Sequence, residues 1–258
     1  MEHRDEVVDQ FTRQAAQFAH SPAARNEEIV ERILRLARLE PSDTALDVAS
    51  GPGVLACALA RHVRQATGID LTPAMLDQAR ATQADAGLTN LQWDLGDVTA
   101  MPYAAGTFDV VTCRFAFHHF PEPLRVLREM RRVAAPGGRV VVADSAPSSA
   151  KADGFNAMEK LRDPSHTRAL PVEELRGLFL SAELPEPRME QTRLALDLDS
   201  FLARSYPPGG ERDKNRLRAM FVDALSDDRL DVEPRREGGT LCFSIPVAIL
   251  AAQVPDAG

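Results

Sequence analysis

The stretch ALDVASGPGVLACALA, residues 45–60, runs apolar into an aspartate, crosses two glycines, and continues apolar at helical spacing. It places Asp47, Ala49, Ser50, Gly51 and Gly53 in one strand-to-helix turn. Gly51 and Gly53 lack a Cβ, so the backbone can turn sharply and let a ligand approach it closely, with Pro52 stiffening the bend. The amides that open the next helix favour a negative group in that space, a phosphate or a carboxylate. Gly51, Gly53 and Ala56 satisfy G-x-G-x-x-G/A, and Asp70 follows at the distance of an acid that holds a ribose diol. A nicotinamide-dependent oxidoreductase therefore remains open on this motif alone.

Two further acids shift the balance. Asp47 ends the first apolar run, and Asp97 stands in WDLGDVTAMPY after a third. An anionic dinucleotide gains nothing from Asp47 beside its pyrophosphate, whereas a ligand bearing an ammonium and a sulfonium gains from a carboxylate-rich pocket. The charge logic favours S-adenosylmethionine.

The elements that must position these residues are legible as an alternation of periods. Val7, Phe11, Ala15 and Phe18 form one helical stripe, and Ile29, Val30, Ile33, Leu34 and Ala37 a second that stops before Pro41. TALDVA, ATGID, LQWDL, FDVVTCRFAF and RVVVAD read as buried strands, separated by helices such as the one that Thr72 and Pro73 open. Strands alternating with helices over about 100 residues indicate βαβ units and a mainly parallel, doubly wound α/β sheet. Ligands in such sheets sit beyond the carboxyl ends of the strands. That rule selects Asp47 with its glycine turn, Asp70, Asp97, and, at the end of the fourth strand, Arg114, His118 and His119.

Length and charge bound the rest. A chain of 258 residues accommodates one core with an appendage. Its net charge of −8, without a basic run, points away from nucleic acid. The longest apolar run, VLACALA, is far short of a membrane helix, so a cytoplasmic protein without membrane insertion is expected, as a monomer or homodimer. Cys57, Cys113 and Cys242 lie apart in apolar segments and read as reduced core residues, and no residue cluster has metal-ligand spacing.

LDVASGPGVLACAL, GIDLTPAMLDQAR and GDVTAMPYAAGTFDVVTCRFAFHHFPEPLRVLREMRRVAAPGGRVVVAD together resemble the class I S-adenosylmethionine-dependent methyltransferases. They are most similar to the branch that contains ubiquinone and menaquinone C-methyltransferases and many small-molecule methyltransferases. The resemblance spans residues 10–145 and implies a Rossmann-like sheet of seven strands. Its last two strands form an antiparallel hairpin, the final one inserted beside strand five. It divides the chain into N-terminal lid helices (1–40), a cofactor-binding core (41–145), and lid helices with closing strands (146–258). It implies that Asp47, Ser50, Gly51 and Gly53 surround the methionine part of the cofactor, with Ala49 where the family often has glycine. Asp70 would take the ribose, Leu71 and Met75 the adenosine, Asp97 the adenine amino group and Val98 the ring, while Arg114 and Phe115 border the methionine moiety and the substrate entrance.

The implied activity is in-line methyl transfer to a small-molecule acceptor. Structural use of the cofactor, as in a cyclisation, and a pure binding module are the rival readings beside the oxidoreductase. Proton removal, if needed, has His118, His119 and His166 as candidates, although the histidine pair also suits a structural hydrogen bond. Phe11, Phe18, Phe155, Met158, His166, Arg168, Tyr206 and Met220 are candidates for the lid, and RDPSHTR is its one polar cluster. Arg125, Arg128, Arg131 and Arg132 read as the solvated face of a helix, and Pro246 in the last strand predicts a bulge.

Overall fold

The computed structural model describes residues 3–18 and 26–256, without the side chains of residues 16–18. Five strands build the expected parallel sheet: β1 (Thr44–Val48), β2 (Gln65–Asp70), β3 (Leu91–Leu95), β4 (Phe108–Arg114) and β5 (Ala134–Ser145). β6 (Arg188–Asp197) and β8 (Thr240–Gln253) close it in antiparallel fashion, and a short β7 (Arg235–Glu237) pairs with the start of β8. The spatial order is β3-β2-β1-β4-β5-β8-β6, so β8 is inserted between β5 and β6, and β7 makes an eighth strand beyond the seven expected. Strand order reverses at β1, whose neighbours β2 and β4 both run parallel to it. Here three carboxyl ends converge.

Side chains alternate across the sheet because the strand period is two. Ala45, Val110 and Val141 face one core, with α2 (Glu27–Ala37) and α3 (Val54–Ala60). Leu46, Val48 and Val111 face the other, with α5 (Pro123–Val133) and α7 (Val172–Ser181). Of the two N-terminal helices expected in the lid, α2 packs instead on α3, β5 and β8, because its five buried residues form a single stripe matched to the sheet face. Only α1 (His3–Phe18), which packs on α4 (Pro73–Asp85), reaches the ligand side. α6 (Ala152–Arg162), α8 (Leu198–Ala203) and α9 (Glu211–Asp223) are the remaining α-helices among the described residues. Among the described residues no helix is long and apolar enough to cross a membrane.

Pro246 causes no bulge: β6 and β8 stay in register through Arg193↔Pro246. Its carbonyl accepts from the Ala146 amide, so its nitrogen also faces the β5 side, just past the end of that ladder, where no donor is required. Cys242 is only partly buried, unlike Cys57 and Cys113. The α5 arginines are not all solvated. Arg132 pairs with Glu129 and donates to the carbonyls of Tyr103 (2.7 Å) and Met101 (3.0 Å), tying down the loop before β4.

Trp93 of β3 fixes the glycine turn from below. A Cβ built on Gly68 would meet its ring at 2.3 Å and Ser50 Oγ at 2.9 Å, and one on Gly53 would meet the ring at 2.5 Å. The ring cannot move aside freely, because Trp93 Nε1 donates to Gln83 Oε1 at 2.7 Å. Gly68→Ala is therefore expected to lower stability by about 1–3 kcal/mol through overpacking. Urea unfolding measures this, and a midpoint unchanged from wild type would show that Trp93 repacks without strain.

Candidate functional site

A cavity of about 520 Å³ opens over the carboxyl ends of β1, β2 and β4. It is lined by Asp47, Ala49, Ser50, Gly51, Asp70, Leu71, Met75, Asp97, Val98, Arg114 and Phe115, eleven of the twelve residues singled out for cofactor binding. Gly53, the twelfth, is not in the lining; it caps α3 with a left-handed φ of 81°. Ala49 and Phe115, which follow the ends of β1 and β4, both have φ of 53°. Ala49 thus adopts the conformation glycine would take there without strain, a cost of order 1–2 kcal/mol that the surrounding turn must hold.

Asp70 organises the turn. Its two carboxylate oxygens accept the amides of Gly51 and Thr72, each at 2.8 Å. Burial raises its pKa, against the pull of these bonds. Each oxygen keeps a lone pair beyond the backbone bond it accepts.

Asp47 is 2% exposed and accepts the Thr112 hydroxyl at 2.9 Å. Burial pushes its pKa to about 7, while Thr112 and Arg114 pull the other way. Arg114, lowered to about 10 by burial, is held up by Asp47. Asp97 lies at the rim: burial acts to raise its pKa, but the Thr99 amide (2.8 Å) and hydroxyl (2.7 Å) bring it below the ordinary value.

Three histidines cluster where β4 and β5 end, and the structure separates their roles. His118 lines the cavity and bonds through Nδ1 to Asp144 Oδ1 at 2.5 Å. Asp144 also accepts the amides of His118 and Ser145, which fixes the pair. Burial would lower the His118 pKa, but the charge and hydrogen bond of Asp144 outweigh it and raise the value above 6.5. His119 also lines the cavity and donates from Nδ1 to the Ser165 carbonyl at 3.1 Å; burial and neighbouring His118 lower it to about 3.

His166 does not line the cavity. Asn156 gives its amide protons to the carbonyls of Ala152 and Ala169, so its oxygen faces His166 Nε2 (2.8 Å), which must donate. Burial lowers His166 to about 2, and its role is to brace the loop.

The lid side differs more from expectation. Phe11 lines the cavity and meets His119 edge to face at 4.9 Å. The Phe18 side chain lies outside the described residues. Arg168 is absent from the lining because it is exposed and paired with Glu174, and Tyr206 is absent as well, its carbonyl accepting from Gln10. Phe155 and Met158 belong to the core, and Met220 packs against it. Sequence reasoning missed Glu159, Arg162, Leu194, Leu196, Phe201, Arg204 and Ile245, all of which line the cavity. The i,i+3 pair Glu159 and Arg162 was visible, but such pairs usually lie on solvated faces.

The profile of the methyltransferase domain family matches residues 46–142. The chain is 28% identical over 223 residues to YcgJ of Bacillus subtilis, an uncharacterized methyltransferase, covering 86% of this chain and 87% of that one. The YcgJ crystal structure superposes with a TM-score of 0.79 at 24% identity, over 90% of this chain and 100% of YcgJ. The ubiquinone/menaquinone biosynthesis C-methyltransferase UbiE of Ruegeria sp. (strain TM1040) is 30% identical over 190 residues, 72% of this chain and 73% of the relative. The 4+2 cyclase SpnF shares the fold, with a TM-score of 0.62 at 20% identity over 89% of this chain and 81% of that one. The chain belongs to the class I S-adenosylmethionine-dependent methyltransferase family, in the branch similar to the ubiquinone and menaquinone C-methyltransferases. Its cofactor is S-adenosylmethionine, and the donor set fits: buried Asp47 and Asp70 suit a cation and a diol and disfavour a pyrophosphate.

Proposed function

We propose that this protein transfers the methyl group of S-adenosylmethionine to a small, largely apolar acceptor by in-line displacement. One observation carries the reading: a single cavity joins the strand-end carboxylates to an apolar wall of Phe11, Leu194, Leu196, Phe201 and Ile245. The cofactor, when bound, supplies a methyl group activated by a sulfonium. Asp70 would accept from the ribose hydroxyls, Asp97 from the adenine amino group, and Asp47 would face the cationic end. Leu71, Met75 and Val98 give the adenosine apolar contacts.

The lid wall from α1, β6, α8 and β8 excludes water and sets the acceptor in line, and such positioning can supply much of the rate. Among the described residues no group of histidine, cysteine and carboxylate side chains is arranged to hold a metal. The test is an acceptor screen read as release of S-adenosylhomocysteine. Release with an apolar small molecule, at rates above the acceptor-free background, is the expected result. Cofactor binding with no release across hydroxy, amino and carbon acceptors would favour structural use of the cofactor, as in a cyclase.

A further inference from the structure

Among the described residues five arginines line the cavity: Arg4, Arg114, Arg125, Arg162 and Arg204. Four of them are answered by an acid. Arg4 lies 3.7 Å from Asp97, Arg125 3.7 Å from Glu122, and Arg162 2.5 Å from Glu159. Arg114 feels the charge of Asp47 and sits over the Phe115 ring, 5.6 Å from its centre. Arg204 differs: its guanidinium is partly buried yet makes no hydrogen bond or ion pair among the described residues. The acid whose charge reaches it, Asp197, is engaged as the N-cap of α8, where it accepts the Ser200 amide at 2.7 Å, and it stays beyond ion-pair distance.

Arg204 stands where an acceptor would lie. It caps the C-terminus of α8 three residues after Phe201, a spacing that puts the two on one face of the helix. Phe201, Leu194, Leu196 and Ile245 are the apolar wall on that side of the cavity. A guanidinium at the edge of such a wall has lost part of its water, and burial lowers its pKa against the pull of Asp197. An unpaired charge drawn out of water is costly, and an anion that forks onto the guanidinium removes that cost. The charge count selects which anion. Glu159 and Asp163 also line the cavity, with Arg162 as their shared cation, so a second negative charge on the ligand meets repulsion and no further free arginine. A carboxylate fits, and a phosphate dianion does not.

We propose, resting on the methyltransferase reading above, that the acceptor is an apolar molecule carrying a carboxylate, and that Arg204 binds this carboxylate while Leu194, Leu196, Phe201 and Ile245 cover the body. The ion pair fixes one end and the wall fixes the rest, and two such attachments hold the methyl-accepting atom in line. Arg204 is then an acceptor-binding residue and takes no part in the bond changes.

The probes are 1-naphthylacetate and 1-naphthylacetamide, alike in shape and differing in charge, with 1-naphthyl phosphate as the dianion. Each is titrated by fluorescence at pH 8 into the full chain saturated with S-adenosylhomocysteine. The acetate is expected to bind about tenfold or more tightly than either the acetamide or the phosphate. In Arg204→Gln the acetate and the acetamide bind within about twofold of each other. Arg204→Lys, which keeps the charge but loses the fork, retains part of the preference. The affinity of both variants for S-adenosylhomocysteine stays within about threefold of wild type.

Equal binding of acetate and acetamide by the wild-type protein, no binding of the acetate, tighter binding of the phosphate, or a preference that survives in Arg204→Gln would each overturn the proposal. So would a large loss of S-adenosylhomocysteine affinity in Arg204→Gln, which would assign the guanidinium to the cofactor's own carboxylate. If the wild-type protein binds S-adenosylhomocysteine in those cases, the methyltransferase reading stands. Failure of the wild-type protein to bind it would remove that reading first.

Discussion

Asp70→Asn is expected to weaken S-adenosylhomocysteine at least about 100-fold in calorimetry, the largest loss for any single site residue. Hydrogen bonds to a charged acceptor are worth about 1.5–3 kcal/mol each, and the cofactor's ribose offers two donors. The substitution also acts through the turn. Both Asp70 oxygens hold backbone amides, of Gly51 and Thr72, so the asparagine NH₂ must face one of those N–H groups, donor to donor. Stability should therefore fall together with affinity, and the glycine turn should lose its fixed position. An affinity within threefold of wild type would take Asp70 out of the site.

Asp47→Asn should do the opposite to the free protein. Burial raises the Asp47 pKa from 3.8 to about 7, so between those values the folded state binds a proton that the unfolded state has released. Stability from this group is full below pH 4 and declines as pH rises to about 7, by at most ~1.4 kcal/mol per unit. Asparagine keeps an oxygen for the Thr112 hydroxyl and carries no such titration. The variant should gain a few kcal/mol over wild type at pH 8 and little at pH 4. Binding moves the other way: a cationic ligand favours ionised Asp47, so wild-type affinity should rise with pH through 7, and the variant's should be weaker and flat there. Urea titrations at pH 4, 6 and 8 with parallel calorimetry measure both, and a variant less stable than wild type at pH 8 would refute this account of Asp47.

These two residues were legible because local sequence determines them. An apolar run that ends in an acid before a glycine turn can be little else than a strand end, and β1 to β5 follow from the same alternation. The α2 stripe shows that one face is buried but not which surface covers it, and that surface is β5 and β8 rather than the cofactor. Pro246 depended on which side its missing N–H would face, a property of the neighbouring strand's length. Glu159, Arg162, Phe201 and Arg204 reach the cavity from α6 and α8 through tertiary packing, and no local spacing encodes that approach. Arg168 and Tyr206 stood out by residue type alone, and packing sent them elsewhere.

The central claim is that Asp47, Asp70 and Asp97 make a cofactor site for S-adenosylmethionine and not for a dinucleotide. Calorimetric titration of the full chain with S-adenosylhomocysteine, beside a parallel titration with NADH, tests it most directly. Micromolar binding of the first with no heat from the second is the predicted result. Heat from NADH with silence from S-adenosylhomocysteine would mean that the glycine turn cradles a pyrophosphate despite its buried acids, and the account would be wrong.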